Sequence, residues 1–355
     1  MKNNGEIVRA IAPLRISFGG GGTELSPYMD HFGGITLSST IDSYSMVTIS
    51  KGESIDVINF KSDDIVVSAS INVREFHDIS LSELPDGVKI GAATLRTLSS
   101  ELGLKVDDGF DFYSNTETPV GSGLGASSVL SVASIKAYDE FYDLHLTKNQ
   151  IARYAFQAER QLLGLEGGRQ DHFAAAYGGL NFIEYQTNGS TLVEGLNLEP
   201  KNLLELQSSM LMIYTGTSRK SASIIEKQIA SMKANDNKTI EALHKMKSLA
   251  WDMRKSILNG DARTLGIKLD ESWSLKKITS ESVSSKVIDD IYTRGLEAGA
   301  FGGKILGAGG GGFLLLIVPP HRRHSIARSV MGEHSFVMKA RFTNRGATSW
   351  RTREL

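Results

Sequence analysis

The stretch PVGSGLGASSVL, residues 119–130, places three glycines directly before a run with helical character. The segment before it, GFDFYSN (109–115), has the pattern of a strand. In a strand–glycine–helix order, the unpaired N–H groups of the first helical turn and the positive end of the helix dipole are open to a ligand. Glycine allows close backbone approach, so we expect a phosphate there. A tight strand-to-helix connection is the alternative interpretation of one such loop.

Composition limits the function classes. A chain of 355 residues predicts two domains. A net charge of −1 with scattered basic residues does not favour nucleic acid or membrane surfaces as partners. The absence of cysteine excludes disulfides, thiolate metal sites and a cysteine nucleophile. The start lacks the apolar core of a signal peptide, and the apolar run 313–318 is too short to span a bilayer. We therefore expect a cytoplasmic protein.

Hydrophobic periodicity predicts an α+β fold rather than a doubly wound sheet, because strands and helices are mixed without repeated βαβ units. The first hundred residues are predicted to be mostly strands. Predicted strands are 44–50, 57–60, 64–71, 109–115, 313–319 and 336–342; predicted helices are 126–143, 148–163, 240–257 and about 284–298. A polar, turn-rich stretch at 190–205 predicts a boundary between domains 1–195 and 196–355.

Two familiar phosphate loops fit poorly. The P-loop pattern G-x-x-x-x-G-K-[ST] does not occur in the chain. The dinucleotide pattern does match at Gly121, Gly123 and Ala126. That fingerprint, however, needs an acidic residue about 20 residues on, at the end of a second strand. Here Asp139 and Glu140 lie on the predicted helix that follows the loop, so a nicotinamide oxidoreductase is the least favoured hypothesis.

Two carboxylates are candidates for chemistry. Glu159 lies beside the apolar stripe of the helix 148–163, so it points toward the interior or a cleft; a glutamate at the stripe's edge that reaches water is the alternative. Asp171 lies among glycines, alanines and aromatic residues in GGRQDHFAAAYGG, where partial desolvation and a basic neighbour would suit a general base. An N-cap before HFAAAY is the alternative interpretation of Asp171.

Three glycine motifs together resemble those of the GHMP kinases. PVGSGLGASSV resembles the family's P-x-x-x-G-L-G-S-S-A motif, KILGAGGGGF (304–313) its third motif, and APLRISFGGGGTE (12–24) stands in the place of its first. The resemblance covers essentially the whole chain. It implies a two-domain fold: an N-terminal domain like ribosomal protein S5 domain 2, with the ATP phosphate loop and catalytic aspartate, and a ferredoxin-like α+β C-terminal domain with the third motif.

Details of the variant motifs resemble the branch that phosphorylates D-glycero-D-manno-heptose 7-phosphate. These details are GGGTE (20–24), EGGRQDHFAAAYGGLNF (166–182), YTGTSRKSA (214–222), SWSLKK (272–277) and FTNRGATSW (342–350). The resemblance implies an ATP- and Mg²⁺-dependent kinase that phosphorylates the anomeric hydroxyl to give the 1,7-bisphosphate used for activated heptose and surface glycans. A GHMP kinase for another sugar such as fucose, and a non-catalytic sugar-phosphate sensor, remain alternatives, and a homodimer is compatible.

The resemblance also implies roles for individual residues, with two departures. Leu14 replaces the usual glycine of the first motif, so the sugar contacts of galactokinases do not transfer, and Ala126 replaces the first serine of the second. Asp171 matches the catalytic aspartate and Arg15 its basic neighbour, and Ser127 and Glu159 match the magnesium ligands. The implied ATP-phosphate residues are Pro119, Gly121, Ser122, Gly123, Leu124, Gly125, Ala126, Ser127 and Ser128. The implied substrate residues are Gly21, Gly22, Thr23, Glu24, Asp171, Arg219, Lys220, Gly309 and Gly310.

Overall fold

The computed structural model describes residues 6–119, 121–216, 221–234 and 236–353. Two sheets organise these residues, one of eight strands and one of four. The larger sheet contains β1 (Glu6–Gly19), β2 (Gly34–Lys51), β3 (Val57–Ser62), β4 (Val67–Asn72), β5 (Phe110–Thr116), β6 (Leu180–Tyr185), β7 (Thr191–Gly195) and β12 (Thr348–Arg353). The smaller contains β8 (Met210–Tyr214), β9 (Gly302–Ile305), β10 (Phe313–Ile317) and β11 (Phe336–Met338).

Helices cover both sheets and connect them. Those of the described residues are α1 (Tyr28–Phe32), α2 (Asp86–Leu102), α3 (Ala126–Phe141), α4 (Lys148–Phe156), α5 (Gln170–Tyr177), α6 (Pro200–Ser209), α7 (Ser221–Lys233), α8 (Asn237–Leu258), α9 (Ala262–Thr279), α10 (Lys286–Glu297) and α11 (Arg323–Val330). A π-helical segment, Gln157–Leu162, continues directly from α4. Among the described residues, none of these helices is both long enough and apolar enough to cross a bilayer.

The larger sheet is built around the long antiparallel pair β1–β2. Its register shifts between Pro13 and Arg15 and between Ser17 and Gly19, and such irregularities bend a strand and redirect its side chains. β2 pairs on its other edge with β6 in its first half and with β5 in its second. The central position of β1, between β2 and β12, is why the side chain of Arg15 can be held deep inside the molecule.

Helix α3 packs directly on β1 and β2. Small buried residues such as Ser131, Ala133 and Ala137 allow this close approach, and Val129 and Val132 fill the space between helix and sheet. Because α3 starts immediately after the glycine loop, this packing fixes the loop against the sheet. The sequence-predicted strand–loop–helix order at 109–141 is therefore the observed one.

The smaller sheet forms a second packing unit. All its neighbouring strands are antiparallel, in the order β11-β8-β10-β9. One of its faces packs with α10 and α11 around Trp273 and Leu316 in a separate core cluster. The other face joins the main core through Met212 and Leu315. Residues of both sheets therefore belong to one continuous apolar core.

The α+β class is as predicted, but several boundaries are not. The first hundred residues are not mostly strands, because the seventeen-residue helix α2 occupies 86–102, following Pro85 and ending at Gly103 in the left-handed conformation. β4 starts at Val67 rather than at 64, because a turn precedes it with Val66 at φ 52°. β11 ends at Met338 rather than at 342. The helix predicted over 148–163 is α-helical only to Phe156.

The end of the chain returns to its beginning. β12 pairs antiparallel with β1, with Glu6 opposite Arg353 and Ile11 opposite Thr348. A domain boundary at 195/196 falls between β7 and α6, and it stays a prediction. The strand 348–353, assigned by sequence to the second domain, lies in the larger sheet.

Candidate active site

The glycine loop takes a backbone path that only glycine adopts without strain. Gly121, Gly123 and Gly125 have φ of 76°, 80° and 81°, in the region where other L-residues are destabilised. Gly125 is the N-cap residue of α3, and Ser127 and Ser128 lie in the first turn. The helix N-terminus therefore opens directly into the loop, as an anion site requires.

The third glycine motif packs on this loop. The Phe313 N–H donates to Ser122 O at 3.0 Å. A Cβ at Gly123 would lie 2.6 Å from Leu306 O, and a Cβ at Gly312 would lie 2.4 Å from Ser122 O. Larger residues would separate the two segments. Two motifs more than 180 residues apart in the sequence thus form one wall of the same cleft.

Asp171 faces the glycine loop. Its Oδ1 accepts a hydrogen bond from Arg15 Nε at 2.7 Å, and Arg15 Nη1 donates to Gly123 O at 2.7 Å. A Cβ built at Gly125 would lie 2.7 Å from Asp171 Oδ2. Arg15 therefore links the carboxylate to the loop, while the second carboxylate oxygen lies beside the loop's backbone. The N-cap interpretation is wrong, because Asp171 is the second residue of α5 and the N-cap position is Arg169.

Glu159 is buried beside an arginine, a histidine and a serine hydroxyl. Its Oε1 accepts from Ser127 Oγ at 2.6 Å, and its Oε2 contacts His172 Nε2 at 2.7 Å and Arg160 Nη2 at 3.4 Å. Burial alone would raise the pKa of Glu159, but the Arg160 charge and the bonds from His172 and Ser127 outweigh it and lower that pKa. The carboxyl is held ionised; it is not the edge glutamate of the alternative interpretation.

The π-helical segment decides where Glu159 points. One extra residue per turn over Gln157–Leu162 rotates the chain relative to α4, and such segments are frequent at functional sites. Glu159 is 1% exposed and lies beside α3 and α5. The pair Ser127–Glu159 offers oxygen donors of the kind that Mg²⁺ prefers, and Mg²⁺ in kinases needs only one or two protein ligands besides phosphates and water. No group of three or more His, Asp or Glu suited to a metal occurs within the described ranges.

Half-buried Glu24 and buried Lys276 line the same cleft and lie close enough to Asp171 to interact with its charge. Glu24 Oε2 accepts from the Gly22 N–H at 2.6 Å, and Lys276 Nζ donates to Gly307 O at 2.6 Å. Burial raises the pKa of Glu24, against the opposing effect of that backbone bond and of Lys276. Burial lowers the pKa of Lys276 to about 8, with Arg15 acting in the same direction and Glu24 opposing it. These groups lie in a weakly hydrated environment.

The sequence prediction assigned no role to Lys276, Lys304, Arg160 or His172. Lys304 is 1% exposed, and burial together with the charges of Lys276 and Arg15 lowers its pKa well below the usual value. Both lysines stand in motifs quoted for the resemblance, SWSLKK and KILG. For Lys304, a lysine between glycines and apolar residues is a signal that could have found it, because lysine is almost never fully buried without a reason; the polar surroundings of Lys276 carry no such signal.

One cleft of about 540 Å³ joins these groups. The sequence-predicted site residues that line it are Arg15, Gly21, Gly22, Glu24, Gly121, Ser122, Gly123, Gly125, Ala126, Ser127, Ser128, Glu159 and Asp171. Other lining residues include Ser17, Gln170, Lys276, Gly307 and Ala308. The phosphate loop, the carboxylate pair and the buried lysine therefore share one space.

Some predicted residues do not line the cleft. Thr23 is fully buried, and its hydroxyl lies 2.8 Å from both Gly20 O and Ile35 O and accepts from the Ile35 N–H, so it holds the backbone. Leu124 is fully buried in the core, and Pro119 lies outside the lining. Gly309 and Gly310 pack against Val283, and their neighbours Gly307 and Ala308 reach the cleft instead. The two predicted phosphate-binding residues Arg219 and Lys220 lie outside the described residues.

The chain is similar to known kinases over nearly its whole length. Residues 89–179 match the GHMP kinases N terminal domain and residues 253–334 the GHMP kinases C terminal domain. The D-glycero-alpha-D-manno-heptose 7-phosphate kinase of Campylobacter jejuni is 34% identical over 97% of this chain and 99% of its own. A crystal structure of a D-glycero-D-manno-heptose 1-phosphate kinase from Bacteroides thetaiotaomicron is 32% identical, with a TM-score of 0.77 over 97% of this chain and 98% of that one. A Campylobacter jejuni structure named only at the level of a sugar kinase is 32% identical, with a TM-score of 0.78 over 99% and 100%.

Proposed function

The chain belongs to the GHMP kinase family, and on that premise we propose that it transfers the γ-phosphoryl group of ATP to the anomeric hydroxyl of D-glycero-D-manno-heptose 7-phosphate. The product is the 1,7-bisphosphate. The observation that carries this proposal is the position of Asp171 Oδ2 beside the backbone of Gly125 in the glycine loop. A base that activates a hydroxyl must lie beside the phosphate that the hydroxyl attacks.

The glycine loop and the N-terminus of α3 bind the ATP phosphates. Backbone N–H groups at 121–127 supply hydrogen-bond donors, and the helix dipole favours their negative charge. Ser127 Oγ and Glu159 Oε1 would hold Mg²⁺, which when bound neutralises charge on the phosphate oxygens. His172 and Arg160 contact the other carboxylate oxygen, Oε2. They therefore fix the orientation of Glu159 and leave its Oε1 directed at Ser127.

Asp171 takes the proton from the anomeric hydroxyl as that oxygen attacks phosphorus. Arg15 binds Oδ1 and holds the carboxylate in place, so Oδ2 is the atom that accepts the proton. Arg15 also brings positive charge beside the loop through its bond to Gly123 O. Phosphoryl transfer depends mostly on positioning and charge neutralisation. Arg15 and Lys276, two of the cations that line the cleft, would provide positioning and positive charge on the acceptor side.

The sugar phosphate occupies the part of the cleft between Glu24 and Lys276. A phosphorylated sugar would bring negative charge to the buried lysine and further hydrogen bonds to Glu24 and Gln170. Arg219 and Lys220 stay predictions as binders of the 7-phosphate. The names of the two relatives differ in which phosphate the substrate carries, position 7 or position 1; the same bisphosphate would result from either.

An ADP-release screen across sugars and sugar phosphates tests the substrate. D-glycero-D-manno-heptose, its 7-phosphate and its 1-phosphate are compared with fucose under the same ATP and Mg²⁺ conditions. We expect turnover with the 7-phosphate and a new anomeric phosphate in the phosphorus NMR spectrum. Equal turnover of the unphosphorylated heptose would overturn the sugar-phosphate assignment, and turnover of the 1-phosphate alone would reverse the position of transfer.

Asp171→Asn tests the base. Loss of a general base lowers rates by about 10²–10⁴-fold, so we expect a drop of that size in kcat while circular dichroism and ATP binding stay like those of the wild type. Asp290→Asn, at an exposed position of α10, is the matched control and keeps the wild-type rate. A near-wild-type kcat in Asp171→Asn would remove Asp171 from the mechanism.

We further propose that the enzyme works in the cytoplasm on small molecules, without nucleic-acid or membrane partners. ATP and sugar phosphates are cytoplasmic metabolites, and the net charge of −1 offers no general attraction to polyanions. A homodimer stays a prediction, which size-exclusion chromatography with light scattering checks directly. A monomer at micromolar concentration would contradict it.

A further inference from the structure

A second cavity of about 480 Å³ borders the π-helical segment and the start of α5, which carry Glu159 and Asp171. It is bounded by α4, the π-helical segment and the turn that joins β6 to β7. None of the residues that line it also lines the catalytic cleft. Its volume falls in the range of roughly 300–1,000 Å³ that is typical of small-molecule sites. We call it the rear cavity.

The π-helical segment and the start of α5 each contribute residues to both the rear cavity and the catalytic cleft. Gln157 lines the rear cavity, and Glu159, two residues later in the π-helical segment, lines the cleft. Likewise Arg169 lines the rear cavity and Asp171 the cleft. A single layer of backbone thus separates the two spaces. Anything that binds in the rear cavity contacts the segments that carry both proposed functional carboxylates.

The rear cavity has a cationic wall. Arg153 and Arg169 both line it. Arg169 Nη1 donates to Gly189 O at 2.8 Å and its guanidinium lies 5.0 Å from the ring centre of Phe156. Burial lowers the pKa of Arg169, and Arg153 acts in the same direction, opposed by Asp30 and Tyr185. In the described part of the chain, no carboxylate forms an ion pair with either arginine.

Two polar atoms of the wall also lack partners. Gln157 Oε1 and Thr191 Oγ1 are shielded from bulk water, and neither has a hydrogen bond within the described residues. A buried polar atom left in this state costs about 1–3 kcal/mol. Asn188 and Ser190, exposed on the turn, add further hydrogen-bonding groups at the same wall. A ligand with several hydroxyl groups would satisfy these atoms.

We propose that the rear cavity binds a sugar phosphate as an effector, at a site separate from the catalytic cleft. Arg153 and Arg169 bind the phosphate, because guanidinium groups match phosphate oxygens in charge and geometry. Gln157 and Thr191 bind the sugar hydroxyls.

Contacts across the backbone layer connect this ligand to the nucleotide side of the cleft. Arg169 stacks on Phe156, whose ring meets that of His172 edge to face with centroids 5.6 Å apart. His172 in turn contacts Glu159 at 2.7 Å. A phosphate that draws Arg169 away from Phe156 changes the support of the carboxylate beside Ser127. Coupling between two ligands is reciprocal, so MgADP also changes the affinity for the effector.

Isothermal titration of the full chain with glucose 6-phosphate and with inorganic phosphate tests the site. Four proteins are compared: wild type, Arg153→Gln, Thr191→Val and the control Arg328→Gln, which removes an exposed arginine on α11. We expect Arg153→Gln to weaken both probes about tenfold or more, which is the loss of one charge-assisted hydrogen bond. Thr191→Val weakens glucose 6-phosphate but not inorganic phosphate, and the control binds like wild type.

Affinity for MgADP, measured with and without glucose 6-phosphate, tests the coupling. We expect a change of about fivefold or more in wild type and none in Arg153→Gln. Unchanged probe affinity in Arg153→Gln, or no binding to wild type at millimolar concentration, overturns the site. Binding that is lost in Arg153→Gln but leaves the MgADP affinity of wild type unchanged overturns the effector role.

Discussion

The two sides of the catalytic cleft stabilise buried charge in different ways. On the nucleotide side, Glu159 receives three partners, and its pKa is lowered despite full burial. On the acceptor side, the pKa of Glu24 is raised and that of Lys276 is lowered to about 8, because burial dominates over their neighbours. One side keeps its carboxylate ionised, and the other shifts its groups toward their neutral forms.

This difference indicates on which side of the cleft protein groups alone balance the buried charge. Around Glu159, protein groups already supply the charge and hydrogen bonds that a buried carboxylate needs. Around Lys276, burial is the largest effect on the pKa values of both the lysine and Glu24, and the neighbouring charges offset it only in part. An anionic acceptor would provide that charge. Under the proposed function, protein groups alone therefore preorganise the nucleotide side, whereas a bound anionic substrate would complete the charge balance of the acceptor side.

Among the variants that test this difference between the two sides, the largest effect is expected from removing the charge of Glu159. Glu159→Gln is expected to lower kcat/KM about 10²–10³-fold, as does loss of a preorganised electrostatic group. It is also expected to destabilise the fold by about 3–5 kcal/mol, because Arg160 loses its buried counter-charge and His172 loses a charged hydrogen-bond partner. Since the folded pKa is lowered, the carboxylate's stabilising effect is present above pH 4.5 and is lost as pH falls below it.

Urea denaturation at pH 7 and at acidic pH measures that loss. The difference between wild type and Glu159→Gln should shrink as the pH falls below 4.5. Glu271→Gln, which removes the exposed partner of Lys268, is the control, with an effect of about 0–1 kcal/mol at either pH. Equal urea midpoints for wild type and Glu159→Gln at pH 7 would show that the charge of Glu159 does not stabilise the nucleotide side of the cleft.

A smaller effect is expected from Gly125→Ala, which tests the close contact between the glycine loop and Asp171. The new methyl group would lie 2.7 Å from Asp171 Oδ2, at a φ of +81°. A displacement of about 1 Å at a reacting group costs about 10²-fold in rate, so kcat should fall by that amount. Gly103→Ala, at a φ of +64° with no atom within 4 Å, adds a similar backbone strain and should leave kcat unchanged. Equal kcat values for the two variants would contradict a reacting position for Asp171.

The smallest effect is expected from Lys276→Gln, and it depends on pH. Substrate phosphate is already a dianion above pH 7. A rise in KM for the sugar phosphate as pH increases through about 8 is therefore expected from deprotonation of Lys276. Lys276→Gln should raise KM about tenfold at pH 7, equivalent to one charged hydrogen bond, and should remove the rise near pH 8. Lys276→Arg keeps the charge and should keep KM low beyond pH 9.

The same lysine gives a second stability test, because its charged form destabilises the fold whereas the charged form of Glu159 stabilises it. Its folded pKa of about 8 lies below the ordinary value of 10.5, so the unfolded chain binds more protons between these values. Wild-type stability from this group therefore rises from pH 8 to pH 10.5, and Lys276→Gln lacks that contribution to the rise. Parallel pH profiles of the two proteins would contradict the buried state of Lys276.

Local sequence patterns predicted the central element well. The glycines before small helical residues at 121–128 predicted the loop and the helix start that the structure has, because backbone freedom and an open helix N-terminus are properties of a few adjacent residues. The interior position of Glu159 followed from helical periodicity. The π-helical geometry of the segment around Glu159 was not predicted from periodicity, because this segment packs against α2 and α3, which are distant in the chain.

Long-range placement was harder to predict. Gly309 and Gly310 were expected at the substrate, but it is Gly307 and Ala308 that line the cleft, because Gly310 N–H is bonded to Val283 O. Thr23 was expected to bind sugar, but its hydroxyl is consumed by backbone bonds to a neighbouring strand. In each case the residue type fits the proposed role, and a contact with a distant segment decides which residue reaches the cleft.

By itself, the sequence determined the α+β class, the three glycine segments, the phosphate-type loop and the candidate carboxylates, because these follow from periodicity and backbone freedom within short windows. Only the tertiary structure decided that segment 306–313 packs on the loop, that Arg15 bridges the loop to Asp171, and that Lys276 and Lys304 are buried beside them. Burial, charge coupling and approach between segments depend on distances through space, which the order of residues along the chain does not specify.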